Sequence, residues 1–170
     1  MKYKFKFKLT NTTSMYVPNG YLGHLKMFVG DERAVQVSDY TNLNGNLKVS
    51  FNFKVQDKIY QVIVETLTYW TAKPPRAIFE GNGYPNWMSS TSDPEQVWIS
   101  VETDMPVTRF EYLNQGESGY GPLCNNKLLL TEETTNTIIF DGNTPALQTI
   151  SVDVPMKLYY HNKNTFISFK

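Results

Sequence analysis

Two glycine- and asparagine-rich stretches carry the aromatic residues that are best placed to bind a ligand. Residues 80–87 include Tyr84 and Trp87, and Tyr120 lies between two glycines in the second stretch. Flat rings beside amide and carboxyl groups can stack on sugars, and the same combination forms hot spots in protein interfaces. Tyr84, Trp87 and Tyr120 are therefore the candidate ligand-binding residues. The alternative for Trp87 is that its ring plugs the end of the domain, because tryptophan is seldom left exposed.

Acidic residues of the same loop-rich region are the candidates for hydrolysis by paired carboxylates. Glycosidases hold two carboxyl groups at a fixed separation across a cleft. The region offers Glu80, Asp93, Glu95 and Asp104, but no spacing among them sets two across a cleft. Acidic residues in loops are usually solvated, so we expect none of the four to be catalytic.

Nucleophiles and metal ligands are sparse. The chain has two histidines, His24 and His161, and one cysteine, Cys124, all far apart in sequence. There is no G-x-S-x-G motif and no phosphate-binding glycine loop. A single cysteine excludes an internal disulfide and is more often a small buried residue than a nucleophile. We therefore predict no catalytic residue, no metal site and no cofactor.

The charges argue against nucleic acid as a partner. Basic and acidic residues number 16 each, whereas nucleic-acid-binding domains usually have a basic surplus. Residues 1–85 sum to +5 and residues 86–170 to −5. Either the two halves interleave in one domain, or the molecule is dipolar and packs positive face to negative face.

Membrane and secretion signals are also missing. No stretch approaches the roughly 20 apolar residues of a membrane helix, and residues 1–10 lack the apolar run of a secretory leader. We expect no membrane insertion, and a location in the cytoplasm or within an assembled particle.

The elements that must position these residues are predicted to be β-strands. The first segment alternates aromatic or apolar side chains with lysines, which is typical of a half-buried strand. The lysines fit an edge strand that discourages pairing with another chain, a solvated face, or a basic stripe for an acidic partner. The two sets are Tyr3, Phe5, Phe7 and Leu9, and Lys2, Lys4, Lys6 and Lys8.

Residues 47–70 contain the clearest local structure, a β-hairpin. A two-residue turn at Gln56-Asp57 places Val55 opposite Lys58 and sets Lys48 against Glu65. Val49, Phe51, Phe53 and Val55 then share one face with their partners. The turn lacks the glycine that such hairpins favour, so a longer loop is an alternative.

Further strands recur about every ten residues between turn signals, and no helical period of useful length is present. The pattern predicts an all-β fold: an antiparallel, jelly-roll-like β-sandwich forming a single domain over residues 1–170. Trp70 and Trp98 lie on strand patterns and are expected in the core or between the sheets. The other predicted strands are 22–29, 34–38, 77–79, 97–102, 107–113, 128–130, 137–140, 149–154, 157–160 and 165–169, with a hairpin turn at Asp141-Gly142.

Two functions fit such a domain. The first is a non-enzymatic structural or assembly subunit, such as a capsid, decoration, tail or fibre component of a virus or phage particle, with other protein subunits as partners in an oligomeric assembly. The second is a carbohydrate-binding module that uses Tyr84, Trp87 and Tyr120 on a glycan. A sandwich fold supports both equally, because fold does not determine function.

Overall fold

A computed structural model describes residues 2–11, 21–71, 73–79, 86–90, 93, 95–114, 126–144 and 148–155. The predicted strands at 157–160 and 165–169 lie outside these ranges. The strands are β1 (Tyr3–Asn11), β2 (Tyr21–Val29), β3 (Glu32–Arg33), β4 (Val35–Gln36), β5 (Thr41–Asn42), β6 (Lys48–Val55), β7 (Lys58–Thr66), β8 (Asn86–Met88), β9 (Trp98–Thr103), β10 (Arg109–Asn114), β11 (Asn126–Glu132), β12 (Thr137–Thr144) and β13 (Gln148–Asp153).

The strands form two antiparallel sheets. The large sheet has the order β12-β11-β1-β9-β7-β6-β4, with β5 also pairing β6. The small sheet has the order β13-β10-β2-β3, with β8 also pairing β2. Phe5 and Phe7 of the large sheet meet Phe110 of the small sheet edge to face, at centroid distances of 4.9 and 5.2 Å. The predicted all-β sandwich is therefore confirmed.

The hairpin predicted at residues 47–70 forms with the predicted register. Val55 pairs with Lys58, and Lys48 pairs with Glu65 at the other end. The two-residue turn forms without glycine because Gln56 itself adopts a positive φ of 56°. Hairpin turns of this length need a positive φ at the first central position, so Gln56 takes the conformation that glycine would adopt more easily.

The lysine-bearing strand is central, so the edge-strand interpretation of its lysines is wrong. Strand β1 pairs with β11 on one side and with β9 on the other. Its lysines face outward, and two of them meet acidic neighbours: Lys6 Nζ lies 3.8 Å from Glu133 Oε1, and Lys8 Nζ lies 3.5 Å from Glu95 Oε1. Because β1 of the positive half lies between two strands of the negative half, the two halves interleave.

Two local predictions need correction. Residues 77–79 belong to the 3₁₀ helix Pro75–Phe79 and do not form a strand. Proline at the first helical position has no N–H to lose, which favours this start. Asp141-Gly142 lies inside β12, where Gly142 pairs with Leu128, and residues 133–136 make the turn before it.

Candidate interaction surface

Trp87 is the only predicted ligand-binding residue that falls within the described ranges, since Tyr84 and Tyr120 lie outside them. Its side chain is fully buried. The indole Nε1–H donates a hydrogen bond to the Thr68 carbonyl oxygen at 2.9 Å, and β8 holds Trp87 opposite Leu22 of β2. The ring has no accessible face for a sugar, so this arrangement matches the alternative in which Trp87 plugs the domain.

The other two tryptophans do not occupy the predicted positions. Ile99 and Val101 point into the core, so Trp98 faces outward on the large sheet, where Lys6 Nζ lies 4.9 Å from its ring centroid. Trp70 is 46% exposed. The prediction that both tryptophans lie in the core or between the sheets is therefore wrong.

The acidic residues of the loop region serve local structure. Asp93 Oδ1 accepts a hydrogen bond from the Glu95 backbone N–H at 3.1 Å, and Glu95 pairs with Lys8. Asp104 is exposed, and Glu80 lies outside the described ranges. Within those ranges no three His, Cys, Asp or Glu side chains come together as a metal site would require.

His24 occupies a β-bulge in the small sheet. His24 and Leu25 together oppose the single residue Tyr112 of β10, and His24 has a φ of 50°. Burial lowers the pKa of its imidazole, and the positive charges of Lys26 and Arg33 lower it further. The imidazole of His24 therefore lies in a locally positive environment. Cys124 and His161 lie outside the described ranges.

Glu132 is a buried acid that the sequence did not single out. Its carboxylate accepts hydrogen bonds from the Lys4 backbone N–H at 2.8 Å and from the backbone N–H and hydroxyl groups of Thr134 and Thr135 at 2.6 to 3.1 Å. Burial acts to raise the pKa of Glu132, but these bonds outweigh it and hold the pKa below its usual value. Glu132 therefore fastens the β11–β12 turn to β1.

The segment 34–43, which we call the edge segment, closes one side of the sandwich. Ala34 follows β3 of the small sheet and precedes β4 of the large sheet, and its N–H donates to the Met27 carbonyl oxygen at 2.8 Å. The rest of the edge segment runs along β6 in two short pieces, β4 and β5. Between them, residues 37–40 oppose only two residues of β6, so the edge is bulged.

Exposed apolar side chains concentrate on this side of the molecule. Eight large hydrophobic residues are exposed in the part of the chain that the structure describes, and four of them lie on the edge segment. A fifth, Ile59 of β7, shares the outer face of the large sheet with Val35, on the far side of Lys54. We call these five the apolar edge. They are Val35 (58% exposed), Val37 (47%), Tyr40 (40%), Leu43 (49%) and, on β7, Ile59 (61%).

An aromatic cluster supports the apolar edge from beneath. The Tyr40 ring lies 6.4 Å from the Phe51 ring, which in turn meets Phe79 edge to face at 5.0 Å. Phe79 belongs to the 3₁₀ helix and also packs on Phe53 at 4.8 Å. The Arg76 guanidinium lies 4.9 Å from the Tyr40 ring centroid. The exposed tyrosine is therefore held between a buried cluster and a cation.

A cleft opens beside the edge segment, between the small-sheet strand β2 and the large-sheet strand β6. Its volume is about 240 Å³. Leu25, Met27, Ala34, Phe53 and Phe79 form its apolar lining. Three further residues complete the lining: Arg33, Val35 and Gln36. The cleft lies next to the apolar edge at Val35, which belongs to both.

Comparison of the chain with protein-family models, with curated proteins and with solved structures finds no match. Within the described ranges no helix combines the length and hydropathy needed to cross a membrane.

Proposed function

We propose that this protein is a structural or assembly subunit that associates through the apolar edge with further subunits, including copies of itself, without a catalytic step. The observation that carries the proposal is the concentration of exposed Val35, Val37, Tyr40, Leu43 and Ile59 on one side of the sandwich. Single exposed apolar residues are ordinary on a soluble protein, whereas four of them within the ten residues of the edge segment indicate an interaction surface.

The core does not need these side chains. None of the five belongs to the hydrophobic cluster between the sheets, to which the edge segment contributes only Ala34. An interface of this composition would be apolar at its centre, with Tyr40 and the nearby Arg76 as residue types enriched in interfaces. Its formation would remove from water apolar side chains that folding leaves exposed.

The shape of the edge supports contact through side chains rather than addition of a strand. Continuous strand addition needs a straight row of free backbone groups, and natural edges prevent it with short strands and bulges. Here β4 and β5 have two residues each, and the Ser38 hydroxyl takes the place of a backbone acceptor for the Asn52 N–H at 3.0 Å. The partner therefore packs on the side chains of the apolar edge.

A particle component, such as a capsid, decoration, tail or fibre subunit, is the assembly that best fits the expectations from sequence. Its partners would be other protein subunits, and it would reside in the cytoplasm or within the particle. The carbohydrate-binding alternative has no observation in its favour: Trp87 is buried, and Tyr84 and Tyr120 lie outside the described ranges.

The test is the mass in solution, measured by light scattering across a range of concentrations at two salt concentrations. We expect concentration-dependent association that Val37→Lys and Tyr40→Glu weaken at least tenfold, because each places a charge in an apolar interface. The matched control is Ile138→Lys. Ile138 is 64% exposed but lies on β12, at the opposite edge of the large sheet.

Two results would contradict the proposal. A strict monomer at all concentrations would remove self-association, and equal weakening by the Ile138 control would show that the apolar edge is not the surface used. Circular dichroism of each variant confirms that its fold is intact.

A further inference from the structure

The turn between β5 and β6 contains Asn44 followed by Gly45, directly after the edge segment. The Asn44 carbonyl oxygen accepts a hydrogen bond from the Leu47 N–H at 3.1 Å, which closes a four-residue turn. Gly45 has a φ of 54°, whereas Asn46 is not among the residues with a positive φ. A positive φ at the first central position alone is the pattern of a type II′ turn, which glycine fits best. The fold therefore places glycine directly after Asn44.

The surroundings of this turn leave the Asn44 side chain and the Gly45 backbone nitrogen free. Residues 41–46 are exposed. Within the described ranges, neither the side-chain amide of Asn44 nor the N–H of Gly45 has a hydrogen-bond partner. A Cβ added to Gly45 would meet no atom within 4 Å, so the space around the turn is open. The two groups are therefore adjacent in the chain, unpaired and accessible to water.

This pair of residues has the chemistry for loss of the side-chain amide. The Gly45 nitrogen attacks Cγ of Asn44 and gives up its proton; an N–C bond forms, the Cγ–Nδ2 bond breaks, and the amide leaves as ammonia with that proton. Water then opens the cyclic imide and gives aspartate or, if the other ring carbonyl is attacked, isoaspartate. The net reaction consumes one water and converts a neutral amide into a carboxylate. Glycine favours ring closure because no side chain shields its nitrogen.

We propose that Asn44 is a site of spontaneous deamidation, and that the carboxylate formed there weakens association through the apolar edge. The first part stands on the turn alone, and the second part rests on the proposed function. Leu43, a member of the apolar edge, directly precedes Asn44. The new charge therefore lies beside an apolar interface, where its loss of water is costly. In the isoaspartate product the main chain also lengthens by one carbon inside the turn, which changes the shape of the turn next to Leu43.

Two hydrogen bonds oppose the reaction, because ring closure requires Asn44 to rotate. Its N–H donates to the Lys48 carbonyl oxygen at 3.2 Å, and its own carbonyl oxygen accepts from Leu47. Both bonds lie at an exposed turn outside the regular strand ladder, where local opening requires little free energy. The folded protein is therefore expected to react without global unfolding.

The first experiment follows the mass of one peptide. Trypsin releases residues 34–48, which contain Asn44 and two matched asparagines, Asn42 and Asn46, each followed by leucine. The folded protein is incubated at mildly alkaline pH, at a concentration at which it is monomeric, and sampled over time for tandem mass spectrometry. We expect Asn44 to convert at least about tenfold faster than the other two, because leucine shields the following nitrogen and glycine does not. A protein isoaspartate methyltransferase should label the product at residue 44.

A parallel sample unfolded in urea gives the rate without the turn. If Asn44 converts rapidly in urea but no faster than Asn42 and Asn46 in the folded protein, the hydrogen bonds of the turn protect it and the proposal is overturned. Equally slow conversion of all three asparagines in both samples would overturn it as well.

The second experiment measures association by light scattering. Asn44→Asp reproduces the carboxylate without incubation, and Asn44→Gln is the matched control that keeps a neutral amide. We expect association to weaken about tenfold in Asn44→Asp and in the incubated parent, and to stay unchanged in Asn44→Gln. Circular dichroism of both variants confirms that the fold is intact.

The outcomes separate this inference from the proposed function. If Asn44 converts as expected but Asn44→Asp associates as well as the parent, the modification site stands and its effect on association is overturned. If the parent does not associate at any concentration, the proposed function fails together with that effect. The mass measurement still decides whether Asn44 is a deamidation site.

Discussion

The centre of the large sheet and its edge segment use similar residues in opposite ways. Around β1 the apolar side chains point into the core, and the outward lysines meet Glu95 and Glu133. Along the edge segment the valines, Tyr40 and Leu43 point into solvent, and two-residue strands replace a regular ladder. The centre buries its apolar side chains and pairs two of its lysines, whereas the edge segment leaves apolar side chains exposed after folding. That difference is the reason to place function at the edge.

If this division is correct, substitutions of buried residues should lower the stability of the fold. Substitutions at the apolar edge should instead weaken association. The largest effect on stability is expected at Trp87. Trp87→Ala removes a fully buried ring and leaves the Thr68 carbonyl without its indole donor. We expect the free energy of unfolding to fall by about 3–5 kcal/mol, measured by urea denaturation.

The matched control for Trp87 is Trp70→Ala, since Trp70 is 46% exposed. This variant should change stability by less than about 1 kcal/mol, as is usual for surface positions. A small loss of stability at Trp87, or an equal loss at both tryptophans, would show that buried and exposed positions do not differ in the way proposed.

Glu132→Gln should have the next largest effect. An amide cannot accept from every donor that surrounds the carboxylate, so at least one N–H of Thr134, Thr135 or Lys4 loses its acceptor. Hydrogen bonds to charged groups contribute about 1.5–3 kcal/mol each, and we expect a loss of about 2–3 kcal/mol at pH 7. The control Glu133→Gln removes only the partly exposed ion pair with Lys6, which is worth at most about 1 kcal/mol.

The pH dependence of Glu132 gives a second readout. Its pKa in the folded protein lies below the ordinary value of 4.5, so the unfolded chain takes up the proton first as the pH falls. The contribution of Glu132 to the free energy of unfolding is therefore fully present above pH 4.5. It is lost as the pH falls through the pKa of Glu132 in the folded protein. Below pH 4.5, the free energy of unfolding should fall more steeply with decreasing pH in the parent protein than in Glu132→Gln. Parallel curves would show that the carboxylate is not preferentially stabilised by folding.

A smaller effect of opposite sign is expected at the β6–β7 turn. Gln56 adopts a positive φ of 56°, which non-glycine residues rarely adopt and glycine adopts freely. Gln56→Gly should raise the free energy of unfolding by about 0.5–1 kcal/mol, measured by thermal and urea denaturation. The control Gln61→Gly, in the regular part of β7, should be destabilising. If both variants lose stability, the strain at Gln56 is not the dominant factor.

The sequence predicted correctly the features that depend on the alternation of buried and exposed residues, namely strand faces and hairpin register. The pairing of Val55 with Lys58 and of Lys48 with Glu65 followed from matching the two alternating patterns. A register shift of one residue would place the apolar side chains of one strand on the solvent face. The inward face of β1 followed in the same way. Alternation cannot tell a central strand from an edge strand, however. The placement of β1 between β9 and β11 depends on long-range pairing that no local pattern encodes.

The features that the sequence did not reveal depend on contacts between distant segments. Glu132 is buried because Thr134, Thr135 and the Lys4 amide surround it, and only the two threonines were visible as a local signal. The apolar edge was not visible in the sequence, because Val35 and Val37 fall in the predicted strand 34–38 and nothing local shows that they are exposed. Trp87 was a candidate ligand-binding residue with a plug as the alternative, and its burial agrees with the plug.

The smallest effect on stability is expected at the apolar edge. This result would distinguish the edge segment from the buried core most clearly. Val35→Thr and Val37→Thr keep the branched shape of the side chain while replacing one exposed methyl with a hydroxyl, so each should change the free energy of unfolding by no more than about 0.5 kcal/mol. The control Val64→Thr, at a fully buried position of β7, should lose at least about 1 kcal/mol because its hydroxyl is buried in the core. Urea denaturation of the three variants compares the two regions directly. A large loss at Val35 or Val37 would show that these residues already serve the fold, and the case for an interface there would fail.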